Sequence, residues 1–180
     1  MTIVLLDPRW PEMIPCTAIK LLDDPHTLLV THIDQKVQQL LANGATLIVA
    51  PSLQDPLYIA ANIMRTALER GEWEAQQTHR SLVPYLQEET VEFIAAIAAE
   101  DDVEMCKELS DILLQVLFHA ELASRRNAFD LNDVATAFIT KMRNRAPYLF
   151  DNSSGVVSVE EQQYLWELGK RQERQKPHTR

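Results

Sequence analysis

At 180 residues the chain suits one domain, or one domain with a small appendage, and its 46% hydrophobic content is enough for a buried core. The net charge of −9 argues against a nucleic-acid-binding surface, which needs clustered Lys and Arg to neutralise phosphates. No apolar run approaches the roughly 18 residues of a membrane span, and MTIVLLDPRWPEM lacks the basic start and cleavage site of a signal peptide. Cys16 and Cys106 are too few and unpatterned for a disulfide framework or zinc site, so a cytoplasmic location is expected.

Residues 1 to 70 differ in pattern from the remainder. Thr2 to Leu6, Thr27 to Thr31 and Thr46 to Ala50 are short aliphatic or β-branched runs. The last two are separated by the helix-like DQKVQQLLANG, in which Asn43-Gly44 is a helix stop. A second amphipathic segment, Leu57 to Arg70, ends at Gly71. Strand, helix, strand, helix predicts a small parallel sheet. With four glycines in the whole chain, neither GxGxxG nor a P-loop is present. This α/β segment carries no evident chemistry, and a docking or oligomer-stabilising appendage is the expectation.

Gly71 to Arg80 reads as a link into the second part, residues 71 to 174. Ser81 is the expected N-cap of a first long helix, because it sets Pro84 in the first turn, where a missing N–H costs nothing. Asp101 with Glu104 is the capping pair of a second helix. The short connection makes the two antiparallel neighbours. Asp130 caps a third helix that runs to about Ala146 and stops at Pro147; Asp151 to Gly155 is a loop. Ser158 with Glu161 opens a last helix to about Arg174, and 175 to 180 is expected to be a flexible tail.

The first two of these helices each carry acids three residues apart, Glu89 with Glu92 and Glu108 with Asp111, so each points two carboxylates from one face. At about 100° per residue, Leu82, Leu86, Phe93 and Ile97 form an apolar stripe with Glu89 inside it and Glu92 on its edge. In the second helix Ile112, Leu113, Leu114, Val116, Leu117 and Phe118 cover nearly the whole circumference, which predicts burial on all sides, and Gln115 follows Asp111 on the acidic face. Carboxylates crowded at low dielectric repel and lose hydration. Either their pKa values rise until they are neutral, or a cation sits among them. Oxygen ligands without His or Cys suit a hard divalent ion, and Mg²⁺ in particular keeps waters and shares a phosphate. Residues 71 to 155 hold 15 acids against 7 bases, so the acid excess lies with these pairs. Glu88 points away from the stripe, as a surface acid or as a group that orients a ligand or the attacking water. His79 and His119 lack the Glu-x-x-His spacing of a di-iron bundle, having Gln76 and Val116 three residues before them. His119 reads as a hydrogen-bonded core or interface residue.

The run LVPYLQEETVEFIAAI, the stretch KELSDILLQVLFHAELA and the later FDLNDVATAFITKMRNRAP resemble MazG, a family of bacterial nucleoside triphosphate pyrophosphohydrolases, from about Trp73 to Lys170. The family's EExxE and ExxD signatures read here as Glu88-Glu89-Thr90-Val91-Glu92 and Glu108-Leu109-Ser110-Asp111. The resemblance implies that Glu89, Glu92, Glu108 and Asp111 hold Mg²⁺, with Mn²⁺ able to substitute, and that a nucleoside triphosphate is cleaved between its α and β phosphates. Lys141 and Arg145, one turn apart near a helix C-terminus, match positions that contact the triphosphate, although the macrodipole favours bases there in any case. Trp166 and Lys170 match the family's W-xxx-K, implicated in nucleotide binding, while Trp166 also suits a core or interface aromatic. Lys107 adjoins Glu108 and could reach a phosphate or stay solvated. The expected fold is mainly α: an antiparallel MazG-like helical bundle preceded by the small α/β segment. A hairpin of two apolar helices cannot enclose its own surface, so a second copy should complete the bundle, as a homodimer or a dimer of dimers. Narrow-specificity hydrolysis of deoxyuridine or modified nucleotides, and a non-enzymatic nucleotide- or metal-binding scaffold, are the alternatives.

Overall fold

The computed structural model describes residues 1–175, and the chain divides into two units, Met1–Gln77 and the part from Thr78 onward. Of the tail expected at 175 to 180, Gln175 closes the last helix, and 176 to 180 lie outside the described residues.

In the first unit, β1 (Thr2–Leu5), β2 (Thr27–Val30) and β3 (Thr46–Val49) form a parallel sheet in the order β2-β1-β3. The pairing aligns Thr2 with both Thr27 and Thr46. The middle position explains why β1 is an unbroken apolar run: Ile3 and Val4 are wholly buried, one on each face. A core of Val4, Leu6 and Ala18 is flanked by Ile14 and Ile48. Helix α1 (Gln35–Ala42) makes the crossover from β2 to β3; Asp34 caps it, and Gly44 at φ +89° carries the chain out through the left-handed region. A 3₁₀ turn at Pro51–Gln54 leads to α2 (Pro56–Arg70), whose first turn combines the Asp55 cap with Pro56. The segment expected to be a plain link contains a further short helix, α3 (Glu72–Ala75), assigned to the first unit.

The second unit is helical. Its first long helix is α4 (Val83–Ala98), followed by α5 (Asp102–Ser124), α6 (Leu131–Arg145) and α7 (Val159–Gln175). Ser81 is not the cap of α4. Its hydroxyl accepts from the Thr78 N–H and donates to the Thr78 carbonyl, while its own N–H donates to the Thr78 hydroxyl. The Thr78–Ser81 turn thus consumes the oxygen that would have capped, and α4 starts two residues later without a side-chain cap, with Pro84 still in its first turn. Glu100, at φ +53°, turns the chain from α4 into α5, and Asp101 accepts from the N–H groups of Val103 and Glu104. The Glu104 half of the predicted capping pair is drawn instead to Lys107, at 2.6 Å. Asp130 and Asp133 form a reciprocal capping box at α6.

The complete burial predicted for α5 is not found in this chain. Glu108, Gln115, Leu117, Phe118, Ala120 and Ala123 are buried where α5 meets its neighbours, but Leu109, Leu114 and Val116 are exposed. The same holds in α4, where Leu82 is buried while Leu86 and Ile97 are open. One hairpin offers only one covered seam, so the opposite faces stay uncovered. Among the described residues no helix is long and apolar enough to cross a membrane.

Candidate functional site

The seam between α4 and α5 gathers the acids. Carboxylate oxygens of Glu89, Glu108 and Asp111 lie within 4.8 Å of one another. Glu89 and Asp111 are half-buried, and Glu108 is 1% exposed. The antiparallel register brings these together: Glu89 sits mid-way along α4, opposite the second turn of α5. Glu92, one turn on from Glu89, is exposed. Glu88 is exposed as well, as its position off the stripe requires.

Crowding divides the protons unequally. Burial pushes the Glu89 carboxyl up, and the charges of Asp111, Glu92 and Glu108 add to it. The Glu108 charge, then burial, raises Glu92. Glu108 goes the other way, because the Lys107 ammonium donates to its Oε1 at 2.8 Å and keeps it ionised in spite of its burial. Lys107 bridges Glu104 and Glu108, and both contacts raise its own pKa. The second oxygen of Glu108, Oε2, is buried without a hydrogen-bond partner. A sealed carboxylate oxygen lacking a donor, with two further carboxylates at ligand spacing, fits a hard cation coordinated by oxygen alone. Gln115, on the same face of α5, also has a buried and unpartnered Oε1.

The cationic candidates form a second cluster, on α6 and α7. Arg145 donates through Nε and Nη2 to Glu173, the shorter contact being 2.6 Å, and its guanidinium stands 5.2 Å from the Trp166 ring centroid. Lys170 pairs with Glu167 at 2.8 Å, so the Trp166–Lys170 spacing does not make them partners of each other. Lys141 and Arg145 share a shallow hollow of about 480 Å³ with Thr140 and Asn144. A larger cavity of about 580 Å³ also borders Arg145, lined among others by Tyr148, Gln162, Gln163 and Trp166.

Sequence reasoning passed over three of these features. Glu173 follows Trp166 by seven residues on one helical face, and Gly169 between them, a glycine inside a helix, signals close backbone approach. The two histidines meet as well: His79 Nδ1 and His119 Nδ1 are 2.8 Å apart, and Arg126 reaches His79 Nε2 at 3.3 Å. The guanidinium can only donate, so His79 Nε2 is the acceptor in its contact with Arg126. The contact between the two rings agrees with the hydrogen-bonded role expected for His119. Forty residues separate the pair, and no local spacing announces the contact.

Comparison with known proteins follows the same division. Residues 77–150 match the family described as the MazG nucleotide pyrophosphohydrolase domain, and residues 1–32 match the MazG N-terminal domain. A nucleoside triphosphate pyrophosphohydrolase of Mycolicibacterium smegmatis is 34% identical over 97% of this chain and 63% of its own length. The Thermotoga maritima nucleoside triphosphate pyrophosphohydrolase/pyrophosphatase MazG is 47% identical over 48% of this chain and 34% of its own. The chain therefore spans less than two thirds of these relatives. The crystal structure of a mazG-related protein from Thermotoga maritima superposes with a TM-score of 0.55 at 25% identity, covering 62% of this chain and 96% of that one.

Proposed function

Since this chain belongs to the MazG nucleotide pyrophosphohydrolase family, we propose that it hydrolyses nucleoside triphosphates between the α and β phosphates, giving monophosphate and pyrophosphate. The observation that carries this reading is the convergence of Glu89, Glu108 and Asp111 around an unpartnered, sealed carboxylate oxygen. These three, with Glu92 beside them, would hold Mg²⁺, or Mn²⁺ in its place. When bound, such an ion polarises phosphoryl oxygens and supplies an activated water. Lys107 keeps Glu108 ionised and ready to ligate. Lys141 and Arg145 offset charge on the triphosphate and on the departing pyrophosphate, which their shared hollow supports. Trp166 and Lys170 belong to the nucleotide-binding end of the site, and Glu88 orients a ligand or the water from outside the cluster.

A homodimer, or a dimer of dimers, completes the site in this reading. Val91, Ile94, Ile97, Leu109 and Leu114 leave α4 and α5 with apolar surface that a second copy would cover. Free Cys16 and Cys106 fit a reducing cytoplasm. A narrower base choice is favoured by one observation: Gln162 and Gln163 stand with Tyr148 and Trp166 around a cavity of nucleoside size, offering amides to a base edge and rings to its face.

The test is product analysis with each common nucleoside triphosphate and Mg²⁺, for the natural chain and for Glu89→Ala and Asp111→Ala. Monophosphate plus pyrophosphate is expected from the natural chain alone, with the helical circular dichroism of both variants retained. Undiminished turnover in either variant sinks the reading, and tight nucleotide binding without turnover by the natural chain would point to a sensor.

A further inference from the structure

Three residues of α7 lie on one face at helical spacing: Trp166, Gly169 and Glu173. Gly169 is buried, and a Cβ placed on it would meet the Asn144 carbonyl at 2.5 Å and the Arg145 Cα at 3.0 Å. Helix α7 therefore touches the backbone of α6 at Arg145 itself. The two residues flanking that contact then fall on the Arg145 side chain. Trp166 offers its ring at 5.2 Å, and Glu173 accepts from Nε at 3.2 Å and from Nη2 at 2.6 Å.

Such a cradle does more than join two helices. An arginine side chain in the last turn of a helix ordinarily samples many rotamers, whereas this one is held by a ring and by a carboxylate. Of the five N–H donors of a guanidinium, the contacts to Glu173 occupy Nε–H and one on Nη2. The Nη1 pair and the second Nη2 hydrogen remain, and these make up the edge that binds phosphate in bidentate fashion. The Arg145 side chain is 21% exposed and lines the hollow that also holds Lys141.

We propose that Glu173 is a positioning residue, fixing the plane of the Arg145 guanidinium so that its free edge meets a phosphate of the substrate; this rests on the triphosphate reading above. An isosteric change that removes the carboxylate's charge breaks the ion pair with little change of shape. Glu173→Gln is expected to lower kcat/KM on the order of tenfold, as loss of an orienting partner does elsewhere, while the melting temperature stays within a few degrees. In an Arg145→Ala background the same change should cost nothing further. An equal loss in both backgrounds marks a mere staple between helices and overturns the proposal, as does an unchanged or increased kcat/KM. Binding of inorganic pyrophosphate, measured by calorimetry without turnover, separates this failure from that of the hydrolase assignment. Weaker pyrophosphate binding by Glu173→Gln than by the natural chain supports the positioning role even if no triphosphate is cleaved. Equal binding by the two, or none by the natural chain, overturns it.

Discussion

Gly169→Ala tests the packing from which the cationic cluster is built. Judged on the helix alone, the change should stabilise, because alanine is better than glycine in a helix interior by about 1 kcal/mol. Tertiary contact opposes it. The new methyl would lie 2.5 Å from the Asn144 carbonyl oxygen and 3.0 Å from Arg145 Cα, where an ordinary contact begins at 3.4 Å. Both obstacles are backbone atoms, so no rotamer change relieves them and α7 must retreat by nearly an ångström at that point. Overpacking costs about 1–3 kcal/mol, and a clash this deep against backbone belongs in the upper part, about 2–3 kcal/mol, so the net change is destabilising by about 1–2 kcal/mol once the gain in propensity is set against it. For a helical unit of roughly this size that corresponds to a melting shift of about 5–10 °C. Circular dichroism would follow the melt, and hydrogen exchange of peptides from residues 159 to 175 would locate the loosening in α7 while α4 and α5 keep their protection. An unchanged or higher melting temperature, with α7 exchanging no faster, would refute the close approach and with it the cradle around Arg145.

Two further perturbations address other parts of the chain. Asp7 is buried and its carboxyl is held well below the usual range by hydrogen bonds from Arg9, whose guanidinium also stacks on Trp10 and Tyr58. Arg9→Ala should destabilise the first unit by about 1–3 kcal/mol, the cost of a buried acceptor left without its donor. The natural chain should hold this contribution at neutral pH and lose it only as the pH falls below the ordinary Asp value toward the folded one; urea titrations at pH 7 and pH 3 read both effects, and an unaltered midpoint in the variant would count against them. Burial, and then the neighbouring His79, depresses the pKa of His119 below its ordinary value of 6.5. The unfolded chain then binds that proton more readily than the folded one, so the contribution is complete above about pH 6.5 and declines as pH drops toward the folded pKa. His119→Gln should flatten the dependence of the urea midpoint between pH 7.5 and 5.5; an equally steep dependence in the variant would show that other groups cause it.

How much could be read without coordinates follows from the range of the forces involved. Caps, breakers and periodicity act over a turn or two, and so Asp101, Asp130 and Gly44 stand where the sequence puts them. The Ser81 expectation failed within the same range, because a competing turn at Thr78 claims the hydroxyl. The acid pairs were legible because i, i+3 spacing is a local property. That three of those acids meet was an inference from two helices folding back on each other, and here the helices do so.

By itself, then, the chain of residues determined its helices, its small parallel sheet, its acid-bearing faces and its likeness to one family, since each depends on neighbours a few positions apart. Only the tertiary structure decided that His79 and His119 would meet, and that Gly169 would let Glu173 and Trp166 close on Arg145. These contacts join residues through charge, proton sharing and backbone approach across helices, and such distances exist only once the chain has packed. The apolar surface left open on α4 and α5 has the same origin: periodicity marks a face to be covered, and packing determines how much of it a single chain can cover.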